Sequence, residues 1–523
     1  MNKYFTLLTK QEAKIKILLI IYTLFCSFKI GLSWDENFYH RVGSINLKYL
    51  LSFGQIDEPF QSKYRYSTLY WSVLSFINQM FPKKFSLEIY HILNSFFGLM
   101  TIIGLYKLNK ILFNKYIAKI SAIFLFSIPF FYGHFAINFK DIILAFSHVW
   151  IIYYIYKYVF FEYNFKKNLI LIFKISLLSA LGTGVQLLFL GSLIPVILLF
   201  FIVILFLKKK NLKVLLTDFI LFLFLFYFIL ILFWVDTHSD IIRLPFEFFN
   251  KTLSLDVGWT LNLLNGEYFK SDDIPYNYLF ISYLYKLPEF LIVLYIFSVP
   301  VLFFNWKIIK NNFNNVTIIL ITIFFLLIFP SLVLVIIPYP VYDGVRLFLW
   351  SAPYLVVIPS ITTYMIFINK NFFYNFAKVI LSLLFVFHIF NFLTITPYHY
   401  TFLNYFSGKK EFRYKKFEND YWSTSLKELI LSSKLSDDIV TFYSCGVSPG
   451  IAKKYMKQKY KRSEFTNESN ASYIIMTNRT LISKKDKKIT NCYDEYQSEN
   501  IHQIIRNGVV LSAIKKNKKK KIK

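Results

Sequence analysis

Asp35 and Glu36 stand side by side at the far end of the first long apolar run, Ile15 to Leu32, directly after Trp34. Carboxylates are costly where a helix leaves a bilayer, and packing gives no reason to place two there. A carboxylate in that position can hold a general base against a lipid-linked substrate. Partial burial at the lipid edge raises its pKa and strengthens it as a base. On this reading Asp35 takes a proton from an acceptor hydroxyl, while Glu36, pointing elsewhere on a helical turn, orients acceptor or metal. The plain alternative is a solvated acidic start to a loop.

Two further clusters carry comparable chemistry. The stretch Gly133-His134-Phe135-Ala136-Ile137-Asn138-Phe139-Lys140-Asp141 is a polar turn between two apolar runs. It offers Asp141 as a supporting acid, Lys140 as a phosphate contact and His134 as a hydrogen-bond donor. Read structurally, it is a turn with Asn138 as helix cap. The stretch Pro338-Tyr339-Pro340-Val341-Tyr342-Asp343-Gly344-Val345-Arg346 precedes another apolar run. Arg346 is a guanidinium fork for the phosphate of a lipid-linked donor, or a snorkelling interfacial residue. The Pro-Tyr-Pro and Asp-Gly turns fix its place, with Tyr342 beside it. A loop over 236–277 adds Trp259, Asn262, Glu267 and Tyr278, as a lid with Trp259 and Glu267 lining the substrate, or as interfacial anchors. If a divalent metal takes part, Asp35, Glu36 and Asp141 are its candidate ligands.

The elements that must position these groups follow from composition. Of 523 residues 56% are hydrophobic and mean hydropathy is +0.47, which a soluble protein of this length does not show. The expected fold is a mainly α, polytopic membrane protein of about eleven transmembrane helices. The spans fall at 15–33, 87–107, 117–135, 142–161, 168–184, 186–207, 213–235, 278–304, 315–337, 346–368 and 376–396. The stretch 168–207 reads as two short spans with a turn at Gly182-Thr183-Gly184, or as one long bent span. Stretches 40–53 and 65–81 are amphipathic enough to lie on the membrane surface. The first run lacks a small-x-small cleavage pattern and reads as an uncleaved span.

Formal charge is +29. Lysines cluster between apolar runs and in the tail, so membrane orientation and anionic lipid account for them better than nucleic acid does. A cytoplasmic N-terminus puts Lys107, Lys110, Lys115, Lys119, Lys166, Lys167, Lys208, Lys307, Lys310 and Lys370 inside. It leaves loops 34–86 and 236–277, and everything after Pro397, on the outer face of the inner membrane. A membrane domain over 1–397 then gives way to a small periplasmic α/β domain over 398–523 with a basic tail. Its strand-like runs are Asp438 to Tyr443, Ala471 to Thr477 and Val509 to Ile514, with a helix near Ser423 to Ser433. Cys445 and Cys492 both lie there, as a disulfide or as two unpaired thiols.

The sequence has no Walker A loop and no dinucleotide-binding glycine turn. It also lacks zinc-spaced cysteines or histidines and a serine nucleophile elbow. Reaction energy must therefore come from an activated substrate. A polyprenyl-phosphate sugar meets that need, since it lies in the membrane and leaves as a phosphate.

Taken in order, Trp34-Asp35-Glu36, Asn138-Phe139-Lys140-Asp141 and Tyr342-Asp343-Gly344-Val345-Arg346 resemble the C-type (GT-C) glycosyltransferases. Within them, the likeness is to bacterial relatives of protein O-mannosyltransferases and aminoarabinose transferases, glycosyltransferase family 39. Gly266 with Pro275 and Pro288, and Asp420-Tyr421-Trp422, add to it. Phe139 stands where that family usually has Pro, and Leu347 where it usually has His. The resemblance implies an inverting transfer from a polyprenyl-phosphate sugar, a hexose or pentose, to a hydroxyl on a protein or glycolipid acceptor. Asp35 would be base, Arg346 and Lys140 would hold phosphate, and Asp141 would support the site, with a divalent metal left open. The competing readings are a lipid or glycan transporter or flippase, a polysaccharide ligase using a lipid diphosphate, and an inactive scaffold of the same fold.

Overall fold

The computed structural model describes residues 11–55, 66–160, 165–204, 212–253, 260–336, 339–483 and 487–518. All eleven apolar runs carry helices, and among the described residues eight helices are long and apolar enough to cross a membrane. These include Asp141–Phe160, Leu212–Leu232, Val316–Ile336 and Phe372–Thr394. The others are shorter or more charged. Glu12–Lys29 carries lysines in both end turns, and Phe189–Ile202 has 14 residues. Lys115–Ser127 is capped by Asn114, whose side chain accepts from the Tyr116 and Ile117 amides, and stops just before Pro129.

The helices differ from the expected spans in detail. The run 278–304 is a short helix Tyr278–Lys286 followed by Glu289–Asn312. Pro288 forces Leu287 out of the helical region, which breaks the chain there. The stretch 168–207 resolves into two helices, Phe165–Val185 and Phe189–Ile202. The turn falls at 186–188, not at Gly182-Thr183-Gly184. Gly182 stays helical because the Phe189 ring packs against it; a Cβ there would lie 2.4 Å from the ring.

The bundle has two chemically distinct ends. At one, Lys119 pairs with Glu12 at 2.6 Å, and Asn305 donates to the Tyr374 hydroxyl at 2.7 Å. Rings of Tyr116, Phe113, Phe313 and Tyr364 tie these helix ends together. Among the described residues, the basic segments around Lys115, Lys310 and Lys370 gather here. The opposite end holds the three sequence clusters and carries the C-terminal domain.

That domain is built on a five-stranded mixed sheet. Hairpin β1 (Leu261–Leu264) and β2 (Glu267–Lys270) precedes it, closed by an Asn265-Gly266 turn. The sheet strands are β3 (Val440–Cys445), β4 (Ser463–Phe465), β5 (Tyr473–Thr477), β8 (Asn500–Arg506) and β9 (Val509–Lys516). A small hairpin of β6 (Thr480–Ile482) and β7 (Ile489–Asn491) lies beside them. The order is β4-β3-β5-β9-β8, parallel around β3 and antiparallel around β9. Helices Leu426–Ser432 and Pro449–Lys459 supply Leu426, Leu429, Ile451 and Tyr455 to a core shared with Ile30, Leu32, Ala136 and Ile137 of the membrane part. One hydrophobic core thus spans both parts and fixes the domain over that end of the bundle.

Cys445 and Cys492 are disulfide-bonded, with Cα atoms 5.8 Å apart, closing a loop of 47 residues. Loop-closure entropy for that length is about 4 kcal/mol. Cys445→Ser is expected to lower the thermal unfolding temperature of the detergent-purified protein, and reductant to do the same to the wild type. An unchanged transition in both would remove the bridge from the stability of this domain.

Candidate active site

The first helix ends at Lys29, and an extended segment leads to Asp35, which opens the helix Glu36–Leu51. The Asp35 carbonyl accepts the Phe38 and Tyr39 amides, so its backbone starts the helix while its side chain makes no cap. That side chain is 38% exposed, and Oδ2 lies 3.5 Å from Arg346 Nη1. A substrate hydroxyl can therefore reach it.

Glu36 does not join Asp35. It is fully buried, accepts the Ser33 amide at 2.9 Å and meets His91 Nε2 at 3.0 Å. His91 Nδ1 lies 3.0 Å from the Ser27 carbonyl and must donate to it, so one further proton is shared across the His91–Glu36 contact. This corrects the expectation that Glu36 orients acceptor or metal. It anchors the extended segment that presents Asp35. Breaking a buried pair of this kind costs about 3–5 kcal/mol. His91→Ala is expected to cost that much in thermal unfolding and to reduce activity only as far as folded protein is lost.

The turn 133–141 is a tightly bonded unit. The Asn138 side-chain oxygen accepts the Lys140 and Asp141 amides at 3.1 and 2.8 Å, and its Nδ2 donates to Asp141 Oδ2 at 2.9 Å. Asn138 is thus the cap of helix Asp141–Phe160. Asp141 is buried, with Oδ1 unbonded, and lies in the field of Arg346, Lys140 and Asp35. Phe139 packs its ring against His40 and Tyr90. Trp71 Nε1 donates to its carbonyl at 2.8 Å. Lys140 Nζ sits 5.4 Å from the Tyr66 ring centroid. Burial opposes its charge, but Tyr66, Tyr342, Tyr339 and Asp141 outweigh burial and hold its pKa above the ordinary lysine value. His134 faces away: Asn138 donates to its Nδ1 at 3.3 Å, and its Nε2 meets the Tyr421 hydroxyl at 3.0 Å. Burial, with Arg346 and Lys286 nearby, keeps its pKa well below the usual imidazole value, so it is neutral.

Arg346 is buried between two aromatic faces, 4.8 Å from the Tyr342 centroid and 4.9 Å from that of Trp422. Its Nε lies 3.4 Å from Asp343 Oδ2. The other Asp343 oxygen accepts from Arg479 Nη1 at 2.5 Å, and Arg479 also reaches the Tyr421 carbonyl at 3.3 Å and Glu418 at 3.8 Å. Asp343 therefore bridges an arginine of the membrane part and one of the C-terminal domain. The turn that offers it has φ of +60° at Asp343 and +69° at Gly344, a left-handed pair that the Asp-Gly sequence permits. The Tyr278 hydroxyl clamps it, accepting the Gly344 amide at 3.1 Å and facing the Gly344 carbonyl at 3.3 Å.

Asp35, Arg346, Tyr342, Lys140 and Asp141 are thus brought into one electrostatic cluster, with Asn138 capping its turn. Glu36 and His134 are buried supports beside it. Asn262 is a support too, donating to the Val341 carbonyl at 2.9 Å behind Arg346. Glu267 stands exposed at the hairpin, next to the Gly266 contact with Lys416. Trp259 lies outside the described residues. Among the described residues no three His, Cys, Asp or Glu side chains gather as metal ligands. With Glu36 held by His91, the expected set Asp35, Glu36 and Asp141 does not form. Sequence reasoning missed His91, Tyr66, Glu418 and Arg479, and took Asp343 only as a turn residue. Nothing local marks Arg479, whereas Trp422 was visible in Asp420-Tyr421-Trp422.

This helix bundle with its docked α/β domain has the GT-C fold. Among solved structures, ArnT from Cupriavidus metallidurans matches in its apo state and bound to undecaprenyl phosphate. Each match has a TM-score of 0.51 at 10% identity and covers 98% of this chain and all of ArnT. The archaeal oligosaccharyltransferase AglB from Archaeoglobus fulgidus, in complex with an inhibitory peptide and a dolichol-phosphate, matches at a TM-score of 0.49 and 11% identity. That match spans 89% of this chain and 70% of AglB. No family model and no curated protein matches the sequence itself. At these identities the likeness is one of fold.

Proposed function

We propose that this chain is a membrane glycosyltransferase that moves a sugar from a polyprenyl-phosphate donor to an acceptor hydroxyl, with inversion. The observation that carries the reading is the approach of an exposed carboxylate, Asp35, to a buried arginine, Arg346, on the GT-C fold. The undecaprenyl phosphate bound by ArnT adds support for the donor class.

The chemistry follows from the charges. The donor phosphate lies against Arg346 and Lys140, which neutralise the charge that grows as the anomeric C–O bond breaks. The acceptor oxygen attacks the anomeric carbon from the opposite face and its proton passes to Asp35. The C–O electron pair leaves with the phosphate, so charge and protons balance. Asp35 is paired to Arg346 before donor binds. A phosphate is the better partner for the guanidinium fork, so donor binding releases Asp35. Asp141 supports Lys140, and Arg479 acts through Asp343 as a positioning residue for Arg346.

The purified chain, given a polyprenyl-phosphate sugar and a membrane extract as acceptor source, should release polyprenyl phosphate and glycosylate a protein or glycolipid. Donor that stays intact across pentose and hexose forms would defeat the reading. The gathering of basic segments at the other end supports an orientation in which the site end faces the periplasm. A reporter fused after Lys523 is expected to be active only on the periplasmic side; cytoplasmic activity would reverse the orientation.

A further inference from the structure

A cavity of about 550 Å³ opens on the flank of the molecule, where the first and last membrane helices meet the C-terminal domain. Phe25 and Lys29 from helix Glu12–Lys29 and Pro397 after helix Phe372–Thr394 form one side; Lys427, Glu428 and Arg506 from the domain form the other. None of these residues belongs to the Asp35–Arg346 cluster. We propose that this cavity binds the phosphate headgroup of an anionic membrane lipid, whose chains run down the apolar wall below it.

Three observations argue for that occupant. The wall is apolar and outward-facing: Ile21, Phe25, Phe28, Phe390 and Leu393 are all exposed on the two helices that flank the opening. The upper part is cationic and built. Arg506 is fixed by Glu428 at 2.7 and 2.6 Å and by the Thr396 carbonyl at 3.1 Å, with its plane 5.3 Å from the Tyr398 ring centroid. Lys427 donates to the Phe28 carbonyl at 3.1 Å and lies 3.6 Å from Glu88. Lys29 is exposed, over the Phe25 ring. Glu428 and Glu88 answer two of the three cations, leaving one positive charge, the match for a single phosphodiester. The level is also right, since both flanking helices end here, where headgroups begin. A free phosphate ion would use the cations and leave the apolar wall idle.

The test is native mass spectrometry of the full chain in detergent, titrated with phosphatidylglycerol, phosphatidylcholine, polyprenyl phosphate or inorganic phosphate. Retention of one phosphatidylglycerol in preference to phosphatidylcholine is expected. Lys29→Gln, at an exposed position that does not risk folding, should weaken retention about fivefold, and Lys29→Gln with Lys427→Gln about 25-fold. Thermal unfolding of the same variants without lipid reports whether they fold. Equal retention of phosphatidylcholine, or unchanged retention in a folded Lys29→Gln protein, would overturn the proposal. So would displacement of phosphatidylglycerol by inorganic phosphate at equal concentration. Tighter retention of polyprenyl phosphate than of phosphatidylglycerol that is itself weakened by Lys29→Gln and Lys427→Gln would overturn it too, by assigning the cavity to the substrate lipid. None of these outcomes depends on the transfer reaction, so the proposal can fail while the enzymatic reading stands.

Discussion

Asp35→Asn is expected to lower sugar transfer by roughly 10²–10⁴-fold, the range lost with a general base, while the protein still inserts and folds. The substitution keeps shape and removes only the charge. Asp35 makes no side-chain cap on its helix and is 38% exposed, so little folding energy rests on it. Among the described residues its close ion-pair partner is Arg346. Removing the carboxylate leaves that guanidinium free for phosphate, so donor affinity should hold or rise as the rate falls. Donor binding and turnover measured on the same preparation would separate the two effects. Unchanged transfer would take Asp35 out of the mechanism, and lost donor binding would make it a structural partner of Arg346 instead.

Arg346→Lys is expected to cost about 10²–10³-fold in turnover, on the scale of losing a charge-stabilising donor at the leaving group. The ammonium keeps the charge but loses the fork and the flat face held between Tyr342 and Trp422. The same change leaves Asp343 with Arg479 as its remaining arginine partner. Arg479→Lys should therefore reproduce part of the effect without touching the donor: a raised KM for donor with a smaller fall in kcat. If Arg346→Lys kept wild-type kcat and KM, the phosphate would have to be held elsewhere, with Lys140 the remaining cation of the cluster.

The fold was legible because hydrophobicity was its signal. Each apolar run carries helix, and Pro129 and Pro288 stand at helix breaks, whereas Pro195, Pro300 and Pro330 lie inside helices. The turn in 168–207 was misplaced because glycines read as breakers, whereas Gly182 serves to admit the Phe189 ring. Strands β3, β5 and β9 follow apolar runs, but β4 and β8 are the sheet edges. Their half-exposed, polar sequences Ser463-Glu464-Phe465 and Asn500-Ile501-His502-Gln503 carry no comparable pattern.

The site divides in the same way. Asp35 and Arg346 stood out because a charge at the edge of an apolar run is expensive and visible within a few residues. Asn138-Phe139-Lys140-Asp141 stood out because a polar turn between two apolar runs is equally local. The roles of neighbouring Asp35 and Glu36 could not be separated at that level, since a one-residue step on a helix turns the second side chain to another neighbour. His91, 55 positions away, takes Glu36 out of the site. Arg479, 136 positions from Asp343, ties the C-terminal domain to the carboxylate that also pairs with Arg346. The sequence by itself determined which charges had to be accounted for, because the cost of placing them near lipid is set by the residue and its immediate surroundings. Only the tertiary structure decided which were free to react and which were neutralised, because pairing energy depends on distances of a few ångströms between segments that the chain order leaves far apart.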